Sequence, residues 1–242
     1  MSFFPKKKEG SSKKAHQKRD PRVKLSSIHG VRFFCDENGG KEVAIINISR
    51  TGLSLAHDPK VNWPPENGSI HGSIEILKRR HKLILEVVHF YSRTVGLKIQ
   101  SPSSDFQNDI GNHFQAELAA IQLVEVRSDL LQEEADGIPR WFRSNAQSEL
   151  FLVTRGPSVV RFHLAIFGFH LEGKPGRKLG FGTILSGGDE EEGPLRYKES
   201  LLIEDMPALP KDSRELAIRF VSSIELLESG YRDQIVSWIR EG

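Results

Sequence analysis

At 242 residues the chain exceeds the commonest domain size, so two units of roughly 100–120 residues are expected. Its 38% hydrophobic and 27% charged content is that of an ordinary soluble protein, its longest apolar runs are too short to span a bilayer, and a single cysteine, Cys35, excludes an internal disulfide framework. The formal net charge of +2 hides an asymmetry: residues 1–24 carry nine Lys/Arg and two acids, which leaves 25 basic and 30 acidic side chains on the other 218 residues. A basic arm on a mildly acidic body points to an anionic partner for the arm.

Residues 1–15, with Lys6-Lys7-Lys8, Gly10-Ser11-Ser12 and Lys13-Lys14, cannot bury enough apolar surface to order themselves and read as a disordered basic tail. The first five residues run into lysines and never become a signal-peptide core, so the cytosol is the expected compartment. From about residue 28 the texture becomes short alternating apolar segments: Val31/Phe33/Cys35, Val43/Ile45, Leu53/Leu55, Ile70/Ile74/Ile76, Leu83/Leu85/Val87 and Val95/Leu97/Ile99. Six strands without intervening helices predict an antiparallel barrel or sandwich. Cys35 alternates with Phe33 and so reads as a core thiol. After an N-cap at Ser103-Ser104-Asp105, the stripe Phe106, Ile110, Phe114, Leu118, Ile121 predicts one amphipathic helix over a mouth of that barrel.

The acidic, turn-prone stretch 128–137 reads as a linker, and residues 138–242 as a second, α+β unit. Residues 149–154, 159–171, 178–185 and 196–204 predict an antiparallel meander, with Gly187 to Gly193 as an exposed acidic loop. Two helices follow over 213–228 and 231–240. His163 and His170, seven apart on a continuous strand, would fall on opposite faces, which argues against a shared metal. No paired carboxylates, nucleophile–base set or metal-ligand spacing appears, so neither an enzyme nor a cofactor is expected.

The polar turn Asn47-Ile48-Ser49-Arg50-Thr51-Gly52 lies between strands, about 25 residues after the basic knot Lys18-Arg19-Asp20-Pro21-Arg22. Asn-x-Ser-x-x-Gly in that setting, preceded by an Arg-containing arm, resembles the PilZ family of bacterial cyclic di-GMP receptors over roughly residues 16–125. The family pattern is Arg-x-x-x-Arg followed by [Asp/Asn]-x-Ser-x-x-Gly. Lys18 falls on its first arginine, Arg22 on its second, and Asn47, Ser49 and Gly52 on the turn; Arg19 is a neighbouring basic residue that many members also carry. The resemblance implies a six-stranded Greek-key barrel with a C-terminal helix over residues 16–127. It also implies a cyclic di-GMP effector whose arm clamps the dinucleotide against the turn and whose second half carries the output.

The chemistry of these side chains fits such a ligand. A guanidinium can fork onto the O6/N7 edge of guanine and stack on the base, Asn47 can bond a base edge, and Ser49 with the turn amides can approach phosphate oxygens. Lysine at 18 keeps the charge but loses the fork, and each lost charge-assisted hydrogen bond is worth ~1.5–3 kcal/mol. The alternative is a degenerate adaptor that keeps the fold, binds no nucleotide and works through protein contacts. The tail lacks the aromatic platform that single-stranded nucleic acid needs. The downstream protein is not named by the sequence, and a homodimer is left open.

Overall fold

The computed structural model describes residues 20–26, 29–145, 148–186 and 202–242. The basic tail, Lys18, Arg19 and the loop expected from Gly187 to Gly193 lie outside the described residues. Among the described residues the chain builds two antiparallel sheets, of eight and seven strands, and four α-helices.

The first sheet comprises β1 (Val23–Lys24), β2 (Arg32–Cys35), β3 (Lys41–Val43), β4 (Ile45–Ile48), β5 (Gly52–Ala56), β6 (Ser69–Ile76), β7 (Arg79–Phe90) and β8 (Thr94–Ile99), in the order β1-β4-β5-β8-β7-β6-β2-β3. The alternation legible in the sequence is the one that buries: Phe33, Cys35, Leu53, Leu55, Ile70, Ile74, Leu85, Val95 and Leu97 form one core. The expected six strands are eight, for two reasons. The arm supplies β1, which pairs with β4 at Val23↔Ile48 and Lys24↔Asn47. The segment 41–48 also breaks at Ala44, β3 pairing with β2 and β4 with β5. Because β3 and β4 lie far apart in the sheet order yet are joined by one residue, the sheet must curl until they meet. No ladder closes it there, so it is a curled half-barrel rather than a closed six-stranded barrel.

The expected helix is also two. α1 (Ser104–His113) starts where Ser103 Oγ accepts from the Phe106 amide, and Phe106, Ile110 and Phe114 fill the first core. The chain then re-aims: α2 (Gln115–Ile121) sends Ala116 and Ala120 into the second core, and β9 (Val124–Glu125) joins the second sheet. The changeover between cores thus falls at Phe114, ahead of the expected linker.

β10 (Ile138–Arg143), β11 (Glu149–Arg155), β12 (Ser158–Ile166), β13 (Phe169–Gly173), β14 (Gly180–Ser186) and β15 (Leu202–Asp205) continue from β9 as a meander in which every strand pairs with its sequence neighbours. The stretch expected as one strand over 159–171 is a hairpin. Phe167 (φ 49°) and Gly168 (φ 80°) reverse the chain with two consecutive left-handed residues. That reversal brings His163 and His170 to the same face, with ring centroids 5.6 Å apart, where an unbroken strand would have separated them. α3 (Lys211–Ser222) and α4 (Ser229–Glu241) cover the other face, where Phe220, Ile224, Ile235 and Ile239 meet Phe142, Leu152, Phe162 and Leu164. No helix among the described residues is long and apolar enough to cross a membrane.

Candidate functional site

The β4–β5 connection is shaped from within by one hydroxyl. Ser49 Oγ donates to the Gly52 carbonyl (3.1 Å) and accepts from the amides of Gly52 (3.1 Å) and Thr51 (3.4 Å), while the Ser49 amide donates to the Gly52 carbonyl (2.8 Å). With Ser49 only 3% exposed, its hydroxyl is spent on the turn, so the expected contact between Ser49 and a phosphate gives way to a structural role. Gly52 is required for a different reason than a positive φ. A Cβ there would lie 2.7 Å from the Leu97 carbonyl oxygen on the neighbouring strand, a backbone atom with no room to retreat.

The arm is fastened to this turn at two places. Thr51 Oγ1 donates to Asp20 Oδ2 (2.8 Å), and Arg22 Nη1 donates to Asn47 Oδ1 (3.3 Å) and to Ser54 Oγ (3.3 Å). The Arg22 guanidinium therefore lies on the outer face of the sheet, above Asn47, Gly52 and Ser54. The pairings Lys24↔Asn47, Asn47↔Ser54, Ser54↔Gly96 and Gly96↔His89 run across five strands in one row. Val95, Leu97 and Leu55 alternate with this row and face the core, so the row faces outward. In the next row Gly52 pairs with the exposed Lys98.

Of the six residues singled out from the sequence, Arg22, Asn47, Ser49 and Gly52 converge here, and Lys18 and Arg19 lie outside the described residues. Sequence reasoning missed Asp20 and Ser54. Asp20 sits inside the basic knot and reads there as one acid among cations. Ser54 becomes a partner of Arg22 only through the β4–β5 register, which a bulge between Ile45 and Asn47 shifts by one residue.

A second feature borders the first. A cleft of about 430 Å³ opens between β1 and the C-terminal helices, lined among others by Arg22, Lys24, His29, Glu117, Arg219 and Arg232. Its floor is an ionic cluster where His29 of the first half meets Glu117 and Arg219 of the second. Arg219 forks onto both Glu117 oxygens (2.6 and 2.8 Å), and His29 Nε2 approaches Oε1 of the same carboxylate at 3.2 Å. Burial opposes ionisation of Glu117, but the hydrogen bonds from His29 and Arg219 outweigh it and hold its pKa at about 2. At the rim, Lys24 Nζ pairs with Glu225 at 2.6 Å.

Among the described residues no group of three His, Cys, Asp or Glu side chains is placed to hold a metal ion. Cys35 is fully buried, and burial raises its thiol pKa, as expected of a core residue rather than a nucleophile.

No family model matches the chain, and no curated protein does. Among solved structures it is similar to the crystal structure of an uncharacterized Legionella protein, at 17% identity and a TM-score of 0.30, over 39% of this chain and 89% of that one. That likeness is too slight to carry fold or function across.

Proposed function

We propose that this chain is a non-enzymatic cyclic di-GMP effector of the PilZ type. The basic arm closes the dinucleotide against the outer face of the half-barrel, with Lys18, Arg19 and Arg22 supplying cations and Asn47 a base-edge contact. Ser49 and Gly52 hold the turn in shape. One observation carries this reading. Arg22 is already seated across Asn47 and Ser54, at the head of an arm tied to the turn through Asp20 and Thr51. A guanidinium already positioned on a polar, outward-facing surface is preorganised to fork onto guanine or phosphate, which lowers the ordering cost of binding.

The second half then acts as the output. Strand β1 carries both Arg22's neighbour Lys24 and, through it, the ion pair to Glu225. Binding a ligand at the arm changes the edge strand whose Lys24 grips the loop between the C-terminal helices.

Calorimetric titration of the full chain tests the proposal: heat with cyclic di-GMP at tens of micromolar protein supports it, and a flat titration removes it. The competing reading, an adaptor without a nucleotide, draws on Lys18 in place of an arginine and on the mutual satisfaction of Arg22, Asn47 and Ser54. It predicts that residues 1–24 are cut by protease at the same rate with and without cyclic di-GMP.

A further inference from the structure

We infer that His89, backed by Tyr91, is the stacking wall of the nucleotide site, receiving one guanine base face to face; this rests on the function proposed above. A side chain at Gly96 would occupy space that the His89 ring already fills, since a Cβ there would lie 2.2 Å from Nε2, 2.3 Å from Cε1 and 2.9 Å from Cδ2. The imidazole therefore takes the outward place of residue 96, directly beside Ser54 in the same row of the sheet. Neighbouring strands are about 4.8 Å apart, so the ring stands one strand from the hydroxyl that holds Arg22.

On the outer face a guanidinium thus stands over Ser54 and an aromatic ring over Gly96 on the next strand. Tyr91 packs against that ring at a tilt of 59°, centroid to centroid 4.6 Å, and is itself 66% exposed. A bulge between Val87 and His89 makes this possible by shifting β7 one residue against β8, which aims His89 over Gly96. A planar cation and a planar aromatic on adjacent strands of one face suit a flat, anionic, hydrogen-bonding ligand, which a purine nucleotide is.

The experiment is a calorimetric titration with cyclic di-GMP of the full wild-type chain and of the variants Arg22→Ala, His89→Ala, His89→Phe and Gly96→Ala. His89→Ala should weaken binding about tenfold, a typical loss for one base–aromatic stack. His89→Phe should stay within about threefold of wild type, because it keeps the ring. Gly96→Ala should weaken binding as His89→Ala does, by displacing the ring, and should add nothing in the His89→Ala background. If His89→Ala binds as tightly as wild type while Arg22→Ala does not bind, the stacking wall is overturned and the clamp stands. If wild type gives no heat, both fall together.

Discussion

Arg22 is the residue on which the site turns, because it alone among the described cations joins the arm to both Asn47 and Ser54. Replacing it by alanine should abolish cyclic di-GMP binding in calorimetry without lowering the melting temperature by more than a few degrees, since Arg22 is exposed and substitutions at the surface change stability by ~0.5 kcal/mol. Lys18→Arg should tighten binding about tenfold by restoring a planar fork where the resemblance places one. The four turn and arm residues within the described chain were legible because they cluster in sequence. Ser54 and His89 were not, since they reach the same surface only after two bulges fix the strand registers. His163 and His170 make the same point: a two-residue turn that sequence periodicity overlooks puts them side by side. Burial chiefly depresses both imidazoles; Arg161, Lys174 and His170 further lower His163, to about 4, against the opposing pull of Glu172, while Glu172 and Asp205 oppose the fall at His170. A histidine with its folded pKa depressed takes up its proton more readily when unfolded. Its contribution to stability is therefore complete above its ordinary value of 6.5 and declines as pH falls toward 4. Melting temperatures measured between pH 7 and pH 4 should drop with a slope that His163→Gln reduces.

Among elements, the helix pair α1–α2 departs furthest from its sequence pattern and has the largest consequence. A continuous apolar stripe from Phe106 to Ile121 reads as one helix on one core, but a break at Phe114 lets its two parts serve two cores. Periodicity shows which residues are buried and is silent on which core takes them. Strand β1 escaped notice for a related reason, since two residues are too few to display any period. Within the second sheet, Gly173 faces the Phe162 ring, which a Cβ would meet at 2.2 Å, and Phe162 in turn stacks on Trp238 of α4. Gly173→Ala should therefore force the ring off its stack and destabilise the protein by about 1–3 kcal/mol, read as a lower denaturant midpoint.

For the whole molecule, the second run of antiparallel strands was legible from the restart of strand patterning, and the joint between the two sheets was not. Glu117 lies 88 residues from His29 across the joint and 102 residues from Arg219, and nothing local announces either partner. Their pairing is buried on the carboxylate side, with Glu117 2% exposed, and His113 contributes its carbonyl to Arg219 and its ring to the carbonyl of His29. Removing one member of such a pair strands the other charge and costs about 3–5 kcal/mol. Glu117→Ala should consequently separate a single unfolding transition into two, resolvable by calorimetric scanning, while Lys24→Ala at the exposed rim should leave it single.

Strand β1 is a lever of two residues, hinged on β4 by a pair of register contacts. Alternation along an extended backbone turns Arg22 and Lys24 outward together, so one cation sits on Asn47 and Ser54 while the next but one grips Glu225. Between the two cations stands a single residue, Val23, whose side chain is anchored in the hydrophobic interior, so the outer sheet face and the rim of the cleft are joined through one buried side chain.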